Sequence, residues 1–353
     1  MIGELPLEFR GSAGEYFRIW AVNLCLTLLT AGVFSAWAKV RKKRYFYAQT
    51  RLDGTPFQYL GQPLPILKGR VIALALFLGY YASSRFFTGL LPVVLVLGLL
   101  LAPWVIARSA AFNARYSAYR NIPFAFDGNY LGAAFAIYWL GLVPVIVAGM
   151  AFGLGDKTPF LGVAILIFGL FFPWWYARLK RFLVRRASYG ARYGELDVAG
   201  TAFFKVYFVG GLIISVLGAV VGVVFYKIFS FTGTIGAYAA TVAAYAGYVV
   251  GFAYIKANLA NLVWNHARLG PLRFRSTLRT RALARLYLTN AVAILVSLGL
   301  LIPWAVIRTL KYRADNFRVA LHGDLSEFEA RAATGVAAAG AEVGEMFDLD
   351  VSL

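Results

Sequence analysis

An indole, a guanidinium and a phenol at Trp37, Arg41 and Tyr45 follow one another at four-residue spacing. On a helix that spacing places all three on one face. The indole prefers the headgroup layer of a membrane, and the base lies one helical turn beyond it. The triplet can therefore meet lipid phosphate. The spacing returns as Trp104, Arg108 and Phe112, as Trp174, Arg178 and Phe182, and as Trp304, Arg308 and Tyr312. A degraded copy reads Phe252, Lys256 and Ala260, and Pro103, Pro173 and Pro303 each precede a tryptophan. Two readings stand: a plain interface anchor that also signals topology, or several copies converging into one basic–aromatic surface for lipid phosphate or an acidic partner.

Other chemistry is sparse. Polar side chains inside apolar runs are Asn23, Thr27, Thr30, Thr289, Asn290 and Ser297. They can hydrogen-bond between helices, or form a site where two segments face each other. No Asp, Glu or His lies within the apolar runs, which speaks against a coupled pump. His266 and His322 are isolated, and no HExxH, GxSxG or Walker pattern occurs. Asp53-Gly54 and Asp127-Gly128 read as turns. The lone Cys25 allows neither an internal disulfide nor a thiolate metal cluster, and it reads as a small buried apolar residue. The expectation is a protein without catalytic residues, metal or cofactor.

The elements that position these residues follow from composition. The chain has 353 residues, 60% apolar and only 14% charged, where a soluble domain carries about a quarter charged residues. The net charge of +19 is gathered in blocks between apolar runs, which suits an anionic lipid surface and argues against nucleic acid. Apolar stretches near 67–87, 89–107, 130–150, 159–177, 204–226 and 235–255 are each long enough to cross a bilayer and form three hairpins. Two more, 19–38 and 286–306, stand alone. If all eight spanned, the bases from Arg308 to Arg318 would lie outside, against the positive-inside rule. The preferred arrangement has six full spans and two re-entrant units broken near Thr30-Ala31-Gly32 and Ser297-Leu298-Gly299, with both termini cytoplasmic; eight spans remain the alternative.

A second motif alternates apolar residues and ends on a small one: Leu7-Phe9-Gly11, Phe57-Tyr59-Gly61, Phe124-Phe126-Gly128, Leu196-Val198-Gly200 and Leu272-Phe274-Ser276. Period two predicts a short extended segment or an interfacial turn before the next helix enters. Extended motif, apolar unit and tryptophan–base motif recur in that order five times, and "PLEFRGS" at 6–12 resembles "PLRFRST" at 271–277. Asn23, Gly32, Trp37, Arg41 and Tyr45 reappear at a constant offset as Asn290, Gly299, Trp304, Arg308 and Tyr312, which points to internal duplication. Residues 1–323 thus read as one all-α, polytopic, repeat-built membrane domain, and 324–353 as an acidic, Ala/Gly-rich cytoplasmic tail.

The stretch "EYFRIWAVNLCLTLLTAGVFSAWAKVRKKRYFYAQTRLDGTPFQYLGQPLPILKGR", residues 15–70, resembles the YjgN family of bacterial inner-membrane proteins. The late "NAVAILVSLGLLIPWAVIR" and the "GEMFDLD" end extend the resemblance along the chain, while Val33 and Phe34 depart mildly from its pattern. The resemblance implies a multi-pass inner-membrane location and brings no activity, catalytic residue or cofactor. The leading functional expectation is lipid-interacting transport or membrane organisation through the cytoplasmic Trp/Arg rim, with anionic headgroups as partners. A small-solute permease lined by the two odd units, or a scaffold that recruits a protein through the acidic tail, are the alternatives.

Overall fold

The computed structural model describes residues 2–138, 157–190, 192–229 and 233–322. Its centre is a closed barrel of ten short antiparallel strands, and this overturns the all-α expectation. The strands are β1 (Ile2–Phe9), β2 (Thr50–Leu52), β3 (Thr55–Tyr59), β4 (Ser117–Tyr119), β5 (Ile122–Phe126), β6 (Ala187–Tyr189), β7 (Arg192–Leu196), β8 (Ala267–Leu269), β9 (Leu272–Ser276) and β10 (Phe317–His322). β1, β3 and β5 each carry the two apolar residues of one copy of the alternating motif, with its glycine two residues past the strand; β9 carries the whole of its copy, and β7 only Leu196 of its own. The partner strands β2, β4, β6 and β8 are only three residues long, so no hydropathy window registers them.

Tight turns join the pairs. Asp53 and Gly54 have φ of 50° and 70°, and Arg120 and Asn121 have 47° and 64°. Two successive positive φ angles are what a two-residue hairpin of matching twist requires, which is why Asp-Gly sits between β2 and β3. β10 pairs with β1 from Ile2↔His322 to Pro6↔Arg318, and this closes the ring. Both ends of the described chain therefore lie side by side. Alternation sends Leu5, Leu7, Leu52, Phe57, Tyr119, Ile122, Phe124, Tyr189, Leu272, Phe274, Val319 and Leu321 into the barrel, where they pack as one core. The Tyr119 hydroxyl donates to Leu52 O at 2.9 Å, and that of Tyr189 to Tyr119 O at 3.0 Å, so both phenols are satisfied inside it. The barrel is filled, not hollow.

Because every hairpin turn lies at one end of the barrel, every helix leaves from the other. The helices are α1 (Ala13–Leu29), α2 (Ser35–Gln49), α3 (Pro63–Arg85), α4 (Leu91–Arg115), α5 (described over 130–138), α6 (Lys157–Arg185), α7 (Gly200–Phe229), α8 (Thr234–His266), α9 (Thr280–Val296) and α10 (Ile302–Asp315). At the base of four helix pairs the entering chain bonds the leaving one: Arg10 N to Gln49 O, Leu60 N to Tyr116 O, Asp127 N to Arg186 O and Thr277 N to Asn316 O, at 2.8–3.0 Å.

The six full spans are corrected as well. Among the described residues three helices are long and apolar enough to cross a membrane: Pro63–Arg85, Val96–Arg115 and Gly200–Val224. Residues 139–150 of the stretch 130–150 lie outside the described residues. The stretches 159–177 and 235–255 fall within α6 and α8, which do not meet that standard over their described residues. The runs at 19–38 and 286–306 each fold into a pair of short helices, of 17 and 15 residues and of 17 and 14. Seventeen residues rise about 25 Å, short of the roughly 30 Å hydrocarbon core, and the α1 base carries Glu15 and Arg18.

The breaks fall at Ala31-Gly32 and Leu298-Gly299, where φ is 47° and 92°, then 50° and 92°. In both turns the glycine N–H reaches back five residues, Gly32 to Thr27 O at 2.7 Å and Gly299 to Ile294 O at 2.8 Å. The tips are apolar and bare: Leu29, Val296 and Leu298 are 82%, 81% and 93% exposed. Cys25 is exposed on α1, not buried as its setting suggested. The tail, 324–353, lies outside the described residues.

Candidate functional site

The tryptophan–base motifs all sit on helices that run into the barrel. Arg41 stands nine residues before β2, Arg108 nine before β4, Arg178 nine before β6 and Arg308 nine before β10; Lys256 stands eleven before β8. At 1.5 Å per helical residue the four arginines share one level, about 13 Å from the barrel mouth. Several bases at or near that level lie on aromatic faces. Arg308 is 5.1 Å from the Trp304 ring centroid, Arg178 4.1 Å from Phe135, Lys256 5.2 Å from Phe252 and Lys43 4.8 Å from Tyr59. Such contacts contribute roughly 0.5–2 kcal/mol, more when desolvated. Arg41 and Arg108 are exposed, and Trp104 is 53% exposed. Trp174 instead stacks on Phe204 of α7 at 4.7 Å, and Trp37 stacks on Phe34 at 6.1 Å. The prolines preceding three of the tryptophans, Pro103, Pro173 and Pro303, are fully buried.

The two motifs are packing partners, which explains why they travel together. In four copies the glycine closing the alternating motif, Gly11, Gly61, Gly128 or Gly200, lies against an aromatic side chain. A Cβ on Gly11, Gly61 or Gly128 would come within 2.5, 2.4 or 2.2 Å of Phe9, Tyr59 or Phe126. The last aromatic of the tryptophan motif closes on the same spot: the Tyr45 hydroxyl lies 3.2 Å and the Phe182 ring 3.0 Å from where such a Cβ would stand on Gly11 and on Gly128. Tyr45 Oη accepts from Ser12 N–H at 2.9 Å and can donate to Ser12 O or Glu15 Oε2. Tyr312 repeats the clasp on Arg279 N and O. Burial raises the phenol pKa of Tyr45. Burial, and then the neighbouring Tyr47 and Tyr116, raise that of Tyr59. Burial and the nearby Lys39 lower that of Lys43, whose ammonium donates to Asn113 Oδ1 at 2.8 Å.

The polar candidates divide into two groups. Asn23 and Asn290 are buried and accept from the arginine of the facing helix: Arg41 Nη1 at 3.4 Å and Arg308 Nη1 at 3.3 Å. In the second pair Arg308 also donates to Thr289 Oγ1 at 2.6 Å, and Asn290 Nδ2 to Thr309 Oγ1 at 3.1 Å. Thr30 and Ser297 are turn-capping groups. Their hydroxyl oxygens accept from Phe34 N–H at 2.9 Å and Leu301 N–H at 3.0 Å, at the start of α2 and α10. α1 packs against α10, so the two short pairs are neighbours. Asp53-Gly54 is the β2–β3 turn, whereas Asp127 follows β5 and stands 3.9 Å from Arg186. No cluster of metal-ligating side chains occurs among the described residues.

The tryptophan–base and alternating motifs do not point to the outward arginines of the barrel wall, Arg268, Arg273, Arg275 and Arg318, on β8–β10. An alternation of arginine with apolar residues in "PLRFRST" was the available signal.

Among the described residues, a closed barrel with helices rising from one end, three of them long and apolar enough to cross a membrane, defines a helix-and-barrel protein. The chain belongs to the family described as bacterial protein of unknown function (DUF898), which matches residues 4–346. It is similar to inner membrane protein YjgN of Salmonella typhimurium, 24% identical over 363 residues that cover 92% of this chain and 90% of that protein. It is 30% identical to inner membrane protein YjgN of Escherichia coli K12 over 155 residues, covering 42% of this chain and 38% of that one. No solved structure matches it.

Proposed function

We propose that this chain is a non-enzymatic, multi-pass protein of the bacterial inner membrane, built from five copies of one strand–helix-pair–strand unit, that organises or moves lipid. Its barrel and both termini lie on the cytoplasmic side, and its bases near the barrel mouth meet anionic headgroups. The observation that carries the reading is the common level of Arg41, Arg108, Arg178 and Arg308 on four helices entering one barrel end. Exposed apolar helix faces beyond that level, such as Val71 to Leu78 of α3, support it. So does the positive-inside rule, since the bases gather at the barrel end of the helices. A solute path along the barrel axis is disfavoured by the side chains that fill it.

The test is retention of anionic phospholipid by full-length protein purified in mild detergent, measured by native mass spectrometry. Replacing all four arginines with glutamine should lower bound anionic lipid several-fold and leave zwitterionic lipid unchanged. Equal retention of anionic lipid by a folded variant would overturn the reading.

A further inference from the structure

We propose that the acidic C-terminal segment, residues 324–353, docks on the outward face of β8–β10. In the register of this quarter of the barrel, Arg268 stands directly opposite Arg273, and Arg275 directly opposite Arg318. Like charges facing each other across antiparallel strands destabilise a sheet. Two such pairs side by side are a cost only partly offset inside the described residues. Glu195 stands opposite Arg268, and Glu4 reaches Arg275 at 3.2 Å with both side chains largely exposed. Arg273 and Arg318 make no ion pair among the described residues; each donates only to backbone carbonyls, Arg273 to Gly270 O and Leu272 O, Arg318 to Phe317 O. The wall therefore keeps a surplus of guanidinium groups aimed outward.

The chain itself supplies the counter-charge at that place. β10 ends at His322, two residues past Ala320, which pairs with Arg273. The segment beyond β10 carries Asp324, Glu327, Glu329, Glu342, Glu345, Asp348 and Asp350 against the single base Arg331. That is seven of the 16 acidic residues of the whole protein, all within residues 324–350, which begin two positions after β10. A segment of this length reaches about 100 Å when extended, far more than the height of a short-stranded barrel, so nothing in the chain length hinders its folding back along the wall. Arginine paired with carboxylate gives the strongest side-chain hydrogen bonds available to such a surface. Docking would relieve both like-charge pairs. The proposal is independent of the lipid reading, since the arginines near the barrel mouth are not part of it.

The experiment places a photo-reactive residue at position 320 of the full-length protein in detergent and maps cross-links by mass spectrometry. Cross-links should fall within 324–353 of the same chain, and their yield should drop several-fold between low salt and about 1 M salt, where the screening length is about 3 Å. Substituting Asp324→Asn, Glu327→Gln and Glu329→Gln should cause a similar loss. That variant leaves the barrel untouched, so misfolding cannot produce it. Arg273→Gln with Arg318→Gln should act likewise. Cross-links to lipid, to a second copy or to another polypeptide would overturn the proposal, as would a tail cross-link indifferent to salt and to both variants.

Discussion

The Arg308 guanidinium donates to the buried Asn290 amide oxygen at 3.3 Å, tying the two arms of the last helix pair together. Arg41 and Asn23 make the equivalent bond in the first pair, at the same separation along the chain. The two asparagines that the apolar runs carry are thus matched to motif arginines, and each short pair holds its charge through its own amide. The same arginines belong to the level of bases nine residues before the strands, so structure and proposed lipid contact share these groups.

Removing the amide takes one acceptor from the Arg308 guanidinium, which keeps Thr289 Oγ1, and leaves Thr309 Oγ1 and Ala305 O without the Asn290 donor. Asn290→Ala should destabilise the protein by about 1–3 kcal/mol, the cost of an unmet hydrogen bond to a charged group. Thermal unfolding in detergent reads this. Asn290→Ala should cost more than Asn23→Ala, because Asn290 also bonds Ala305 O and Thr309 Oγ1.

The ring-covered glycines should tolerate no side chain. Gly61→Ala and Gly128→Ala place a methyl group within 2.5 and 2.2 Å of an aromatic ring, and should each lose about 1–3 kcal/mol through overpacking. Gly69→Ala and Gly79→Ala meet nothing within 4 Å on α3 and should be neutral or stabilising. A ranking by unfolding midpoint that failed to separate these two groups would contradict the packing described.

Thr30 and Ser297 should behave as caps. Thr30→Ser should be silent, while Thr30→Val should cost about 1 kcal/mol through the lost Phe34 N–H acceptor. Any transport or lipid phenotype of Thr30→Val should follow its stability loss and vanish at lower temperature.

Tyr45 gives a pH signature. Its pKa is raised in the fold by burial, so its neutral phenol is favoured over that of the unfolded chain. The stabilisation is complete below about pH 10, the ordinary tyrosine value, and is lost as pH rises through the higher folded value. Tyr45→Phe should flatten the alkaline end of the stability profile and cost about 1 kcal/mol at neutral pH.

Much of this was legible in the sequence, unevenly. The glycine turns at Gly32 and Gly299 stood out because a helix must break where an apolar run is bracketed by basic blocks. The alternating motif was visible at Phe57-Tyr59-Gly61 and its kin, but its role in a barrel was not. Its partner strands are three residues long and follow directly on a helix, as Thr50–Leu52 follows Gln49. Asp53-Gly54 was the hairpin signal at hand, and joining it to the flanking β-formers would have exposed β2 and β3. The link between Tyr45 and Gly11 lies beyond reading by spacing, because it depends on how one end of a helix pair returns beside the other. The outward arginines of β9 were masked by the general basic surplus.

The central claim is that the barrel lies wholly on one side of the membrane, with the helix pairs and their bases directed into it from one end. In a Cys25→Ser background, Ala125→Cys on β5 and Tyr193→Cys on β7 put single thiols on exposed sites of two different hairpins. A membrane-impermeant maleimide should label both in inverted inner-membrane vesicles and neither in right-side-out spheroplasts. Labelling of the two thiols from opposite sides, or of both from the periplasmic face, would contradict the account.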